Sequence, residues 1–311
     1  REPGRASRGY AHRNPTFLMG GIERDGQIHW SEPEIALYHD NIGTRWSYPD
    51  LIEHDGRIYL TETEKRVARV HEVGGDLLEA LWSTDQGLSD EGLLLEASGG
   101  ETPAMPDLPP LFELASGGRI DPDTGATLED DAGEFHVNRG AASFEFVLQF
   151  DDLRPWQMIF DSRDDGGRGV TVMLTDRGTL RFSISGALVA LPGATWVGGL
   201  TESAWETDPG HIEAGRRHYF AFIFDGGPKT LLVVRDGILE DGGDRRQYGW
   251  GRFHPNLKEM NGGGTARIAP DMNGTVERFR LYGRALKVNQ AAAHARSWVP
   301  HAQGIAAESG L

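Results

Sequence analysis

Two groups of side chains in this 311-residue sequence have the types and spacing to act on a ligand. Trp205, Tyr248 and Trp250, with Phe253 close by, fall near turn-rich stretches. Exposed rings of this kind can stack on the faces of sugars, and the same rings also serve to fill cores. Asp161, Asp164 and Asp165, set around Ser162 and Arg163, form a loop whose carboxylates could hold a structural Ca2+. Asp121-Pro122-Asp123-Thr124-Gly125 could do the same. A hard cation asks for about six to eight oxygens. The second stretch has its glycine one place early for an EF-hand loop and no flanking helices, so an acidic turn is the alternative reading of both. Asn273-Gly274-Thr275 fits a glycosylation sequon, but a turn entering a strand wants Asn-Gly in any case. Beyond that possible cation, no cofactor is required.

Other chemistries are excluded by what is missing. The sequence has no Cys, hence no disulfide, thiolate metal site or cysteine nucleophile. It has no G-x-S-x-G, H-E-x-x-H or Walker loop, and its glycine runs do not sit between a strand and a helix. No window approaches the roughly 18 apolar residues of a membrane span. The net charge of −16 is concentrated: residues 76–135 carry 15 acids against Arg119 alone, which accounts for 14 of the 16 excess charges. That pattern reads as a solvated acidic connector. With no basic stripe to track phosphates, nucleic acid is not an expected partner.

The elements that must position these residues are strands. Glycine is abundant, 42 of 311, about twice the usual frequency of roughly 7%, and with 16 prolines it separates short apolar stretches. This predicts an all-β chain. Asp25-Gly26, Asp55-Gly56 and Asp236-Gly237 each stand between two strand-like runs, a strong hairpin signal. Residues 1–75 supply too few hairpins to close a sheet, and are expected to pack on the remainder loosely or not at all. A connector with a short helix over 76–82 spans 76–110, ending in the proline-rich 105–110. From 111 to 300 a complete sandwich is expected, followed by a tail, 301–311. Phe144, Phe146, Leu148 and Phe150 alternate as in a strand with one buried face, and Leu180, Phe182 and Ile184 repeat the pattern. Residues 219–224 are apolar on both faces, as in a central strand. A helical stretch over 287–297 closes the domain.

Two segments resemble known families. Met272-Asn273-Gly274-Thr275-Val276-Glu277-Arg278-Phe279-Arg280-Leu281-Tyr282-Gly283-Arg284-Ala285-Leu286, together with Val233-Val234-Arg235-Asp236-Gly237, resembles the closing strand and "VDG" hairpin of laminin-G / concanavalin A-like jelly rolls. The N-terminal part resembles the last blades of a sialidase-like β-propeller with BNR repeats. Arg13-Asn14-Pro15-Thr16 leads through a turn to Trp30-Ser31-Glu32-Pro33, and Ser47-Tyr48-Pro49-Asp50-Leu51 opens a strand about 35 residues after Arg13. The hairpin departs from a proper Asp box, because Asp25 and Gly26 are adjacent and Trp30 falls one place late.

The fold class implied is all-β: incomplete propeller blades joined to a concanavalin A-like sandwich. The resemblance implies that Arg13 belongs to an arginine cluster gripping the carboxylate of a sialic acid, that Tyr48 is the nucleophile, and that Glu62 or Glu64 orients an arginine. A planar guanidinium grips a carboxylate bidentately. A neutral tyrosine is not repelled by that carboxylate as an anionic nucleophile would be. The family also uses two further arginines, an Asp and a Glu from earlier blades, so residues 1–311 are expected to be inactive alone. Glycans are the partners implied, export from the cell the expected location, and a non-catalytic carbohydrate-binding or adhesion protein the alternative.

Overall fold

A computed structural model describes residues 13–39, 46–64, 67–82, 88–111, 113–114, 119–120, 127–128, 137–188, 200–240, 250–254 and 257–299. The N-terminal part is built from short antiparallel pairs. Strands β1 (Thr16–Leu18), β2 (Gly21–Arg24), β3 (Gln27–Trp30) and β4 (Glu34–Leu37) give the pairs β1–β4 and β2–β3. Strands β5 (Ser47–His54), β6 (Arg57–Glu64) and β7 (Val67–Glu72) form a three-stranded sheet. Both hairpins turn where the sequence places Asp-Gly. Asp25 and Gly26 have φ of 53° and 75°, Asp55 and Gly56 of 51° and 73°, as a two-residue turn matched to strand twist demands. Helix α1 (Gly75–Trp82) then lays Leu77 and Leu81 against Leu60 and Val73.

Strand β8 (Leu93–Ala97) follows, then the two-residue strands β9 (Glu113–Leu114), β10 (Arg119–Ile120), β11 (Thr127–Leu128) and β12 (Val137–Asn138). The remaining strands are β13 (Ala141–Phe150), β14 (Met158–Asp161), β15 (Gly169–Leu174), β16 (Leu180–Ala187), β17 (Leu200–Glu206), β18 (Arg217–Asp225), β19 (Thr230–Arg235), β20 (Ile238–Leu239), β21 (Gly251–Arg252), β22 (Arg267–Asp271) and β23 (Gly274–Tyr282), and helix α2 is Val288–Trp298. They build a sandwich. One sheet runs β20-β19-β18-β13-β23-β8, with β21 also on β19; the other runs β17-β16-β15-β14-β22. The chain is all-β in class. Between the sheets Phe144, Phe146, Phe160, Phe182, Phe222 and Phe279 are fully buried. Their rings meet edge-on or tilted, for example Phe182–Phe222 at 4.8 Å and Phe160–Phe279 at 4.9 Å, arrangements that aromatic quadrupoles favour.

The alternation in β13 thus identifies the inter-sheet face, but the expectation of one buried face is half of the story. The opposite face is also covered: Val147, Tyr219, Ala221, Ile223 and Tyr282 pack beneath Ala291, Ala295 and Trp298 of α2. Burying that face traps Glu145, 1% exposed. Its carboxylate accepts hydrogen bonds from Tyr219 at 2.5 Å, Tyr282 at 3.0 Å and His294 Nδ1 at 2.7 Å. The Ser89 amide donates to His294 Nε2 at 3.2 Å, which places the ring proton on Nδ1. Burial, then the adjacent Glu145 charge, pushes the Tyr219 and Tyr282 phenols well above the usual tyrosine range.

The stretch expected as a connector contributes directly to the sandwich. β8 pairs with β23, setting Glu96 opposite Arg280. Arg280 also meets Asp90, and Arg278 meets Glu96 at 3.3 Å, so part of the acidic surplus answers the arginines of β23. Leu108 and Leu111 enter the inter-sheet core, and the Leu108 amide donates to Asn261 Oδ1 at 2.9 Å.

The expectation that the N-terminal segment packs loosely or not at all is overturned. Phe17 and Ile35 pack against the outer cluster under α2. The Glu34 carboxylate accepts the Asn289 amide at 2.8 Å and its side-chain amide at 3.0 Å. Glu34 therefore caps α2 from outside the helix, whose own N-cap residue Lys287 makes no side-chain cap. Glu32 accepts the Leu239 amide at 2.9 Å, and its own amide donates to Asn289 Oδ1 at 2.9 Å. The reason is a count of backbone groups: the first turn of a buried helix needs acceptors, and a strand from the N-terminal part supplies them.

Burial holds both carboxyls above their ordinary 4.5, despite the amides that favour the charged forms. An acid whose pKa rises on folding gains a proton, so this contribution to stability is complete below 4.5 and declines as pH climbs through the raised values. Glu34→Gln, neutral throughout, should flatten that decline. Urea midpoints from roughly pH 5 to 8 test it; a Glu34→Gln midpoint that falls as steeply as the parent's contradicts the assignment. Glu34→Ala, which removes the cap, should cost about 1–2 kcal/mol.

Candidate functional site

The N-terminal candidates gather at the start of β5. The Asn14 side chain bonds His39 through both its groups, donating to the carbonyl at 2.9 Å and accepting the amide at 3.1 Å. This fixes the residue after Arg13, whose Nη1 donates to Ser47 Oγ at 2.7 Å. Ser47 pairs with Thr63 of β6, but the register shifts before Asp50, and Tyr48 sits in that irregularity with φ of 52°. A bulky residue held there costs on the order of 1 kcal/mol. The consequence is a tyrosine 85% exposed beside the arginine-bearing serine. Its hydroxyl makes no hydrogen bond among the described residues.

Glu62 lies elsewhere. Successive strand residues face opposite ways, so Glu62 points away from the side on which Thr63 meets Ser47, and it is 1% exposed. One oxygen accepts Arg69 Nη1 at 2.9 Å and lies 3.4 Å from His71 Nε2. The other is buried with no partner among the described residues, and so is the indole nitrogen of Trp46. Trp46 meets the His71 ring edge-on at 6.0 Å, with the Arg69 guanidinium 5.7 Å from its centre. Glu62 thus pairs with Arg69, on the face away from Arg13 and Tyr48. Glu64 closes β6 opposite Val67. Trp46, Arg69 and His71 went unnoticed in the sequence. A partial signal was there: Arg69 and His71 are two apart on one strand and so share a face, and the pairing of β7 with β6 sets Arg69 opposite Glu62.

In the sandwich the proposed sugar platform is not a surface. Trp250 is 8% exposed and belongs to the cluster under α2, with Arg252 over its ring at 4.9 Å. Trp205 packs against the core; its ring lies where a Cβ on Gly251 would stand, 2.0 Å away. The Trp250 ring, filling space between strands, has no face to offer a sugar, whereas Trp205 is only partly buried. Tyr248 lies outside the described residues. Arg252, half-buried beside Trp250, bonds the carbonyls of Pro228 at 2.8 Å and of Asn14. Desolvation brings its pKa down to about 10.

The aspartate loop is an ion-paired turn. Asp161 takes both Nε and Nη2 of Arg163 at 2.9 Å, and Arg267 Nη2 at 2.6 Å. Burial alone would raise its pKa, but these bonds outweigh it and hold the carboxyl below the ordinary range. Asp164 accepts the Arg168 amide at 2.9 Å and its Nε at 2.8 Å, and is held low chiefly by that amide. Asp165 is exposed. Three guanidinium groups take up the oxygens a cation would use, and no group of three metal-ligating side chains occurs among the described residues. The Asp121 turn lies outside them.

No family model and no curated protein matches the sequence. Solved structures with loose likeness include the CBM40 domain of Ruminococcus gnavus IT-sialidase, at 10% identity and TM-score 0.37, over 50% of this chain and 83% of that one. Trypanosoma rangeli sialidase in complex with sialic acid overlaps 91% of this chain and 53% of its own, at 10% identity and TM-score 0.38. The binding domain of botulinum neurotoxin serotype D overlaps 67% and 52%, at 9% and 0.40. The chain spans about half the length of the last two. Overlaps this loose carry no conclusion about what the chain does.

The reassignment of Trp250 has a direct check. Trp250→Ala should lose about 3 kcal/mol of stability by leaving a cavity, measured by chemical denaturation; a loss below about 1 kcal/mol would mean that the ring is not packed as described.

Proposed function

We propose that this chain is the C-terminal portion of a glycan-directed, sialidase-like protein exported from the cell, with the sandwich as its accessory domain. One observation carries the reading: the guanidinium of Arg13 is fastened to Ser47 at 2.7 Å, next to a tyrosine held outward by a strained backbone. A guanidinium beside an exposed phenol suits a sugar that carries a carboxylate on its anomeric carbon. Arg13 would grip the carboxylate in a charge-assisted pair, and Tyr48 would attack the anomeric carbon, the neutral nucleophile such a substrate calls for. Attack by a phenol needs a base to take its proton. That base, an acid for the leaving group and further arginines would come from additional blades.

The absence of a hydrogen bond to the Tyr48 hydroxyl among the described residues favours a second reading, a carbohydrate-binding protein that never activates this tyrosine. Hydrolysis of a sialoside by the protein as its source makes it separates the two. On the catalytic reading Tyr48→Phe lowers kcat on the order of a thousandfold, and Arg13→Lys raises KM. Full activity in Tyr48→Phe removes the catalytic assignment. A parent protein that binds sialosides without hydrolysing them establishes the second reading.

A further inference from the structure

The sandwich has an exposed aromatic that the sequence did not single out. Trp156, in the loop between β13 and β14, is 57% exposed and has φ of 69°. Glycine takes that conformation without strain; a tryptophan does not. The loop leaves it no slack, since the Trp156 amide donates to the Leu174 carbonyl at 2.7 Å and the Leu174 amide to the Gln157 carbonyl at 2.9 Å. Strain at an exposed indole points to a use for the indole.

Its surroundings define the ligand. Asp152 is a hub: it accepts the Arg154 amide at 3.2 Å and Nε at 3.1 Å, Gln157 Nε2 at 3.1 Å and Asn273 Nδ2 at 2.8 Å. The Asn273 amide donates to Gln157 Oε1 at 2.6 Å. Arg154 is therefore held by its inner nitrogen while its two terminal nitrogens, on a side chain 67% exposed, have no partner among the described residues. An exposed indole two residues from a pre-oriented fork of donors, on one loop whose backbone is pinned, offers what a pyranose needs, a ring for its C–H face and donors for its hydroxyls. Charge decides which pyranose. Asp152 already pairs with this arginine at 3.1 Å, and Asp151 adjoins Asp152 in sequence, so a carboxylated or sulfated sugar would find no uncompensated positive charge and would be repelled.

We infer that Trp156 and Arg154 form a binding site for a neutral hexopyranose on the sandwich. The inference takes from the proposed function only the glycan-directed character of the chain, and it concerns a different sugar at a different place. Lactose is the probe, with cellobiuronic acid as its acidic counterpart, followed on the indole N–H resonances of the whole chain. Lactose should shift one indole resonance, the one absent in Trp156→Gly. That variant should keep or raise the melting temperature, because glycine relieves the φ, while lactose binds at least about tenfold more weakly, ~1.4 kcal/mol. Arg154→Gln should weaken binding without unfolding.

Lactose that leaves the Trp156 resonance unmoved, equal affinity in Trp156→Gly, or tighter binding of the uronate than of lactose overturns the inference. Tyr48→Phe should leave the lactose response intact. Loss of it there would place the sugar at the N-terminal sheet, ending this inference and sparing the proposed function. A source-made protein that neither binds nor hydrolyses sialosides, yet binds lactose through Trp156, does the reverse.

Discussion

The interaction on which the rest depends is the burial of one carboxylate, Glu145, in the middle of a sheet covered on both faces. A lone charge there would be costly, and Tyr219, Tyr282 and His294 together offer it three donors. Those donors come from β18, β23 and α2, so meeting the need of one side chain fixes the helix over the sheet. His294 is in turn fixed by the Ser89 amide, which ties the segment before β8 to the same centre. The polar hub specifies a single arrangement of elements, where an apolar face alone would accept several.

Once α2 is placed, its N-terminus needs acceptors, and this draws in the N-terminal strands. Glu34 supplies the cap and Glu32 clips the β19–β20 hairpin through Leu239. Arg252 reaches the Asn14 carbonyl from the other side. The residue next to Asn14 is Arg13, so the position of the candidate guanidinium follows from contacts to the sandwich. The sandwich is thus more than an appendage to the N-terminal part: it holds the segment that bears Arg13, while the Asp55-Gly56 hairpin and the bulge at Tyr48 orient the phenol.

The two candidate ligand surfaces differ in charge as well as place. On the proposed function, Arg13 and Tyr48 would suit an anionic sugar. Trp156 and Arg154 lie on a loop rich in carboxylates, suited to a neutral one. Both present an exposed aromatic with positive φ, and both are braced by hydrogen bonds of neighbouring groups. Such bracing limits the ordering cost of binding. A chain carrying both could hold two sugars of one glycan or two separate glycans, the second raising the local concentration of the first.

The sequence by itself determined what depends on neighbours along the chain. Asp-Gly pairs at 25–26, 55–56 and 236–237 set three turns, because the left-handed backbone they adopt is accessible to few residue types. Period-two alternation in β13 and β16 and the two-faced apolar run of β18 announced a sandwich. The short helix, expected over 76–82 and found over Gly75–Trp82, and the closing helix were also legible locally. What tertiary structure decided was burial and partnership between distant residues. Trp250 and Trp205 looked available to a ligand because nothing local says that β21 lies against β19 and β17. Asp161 looked available to a cation because Arg267 is 106 residues away in sequence. Glu34 as the cap of α2 spans 255 residues, and no periodicity encodes it. Sequence patterns report the backbone's own preferences, whereas exposure, charge pairing and strain at Trp156 exist only once remote segments compete for the same space.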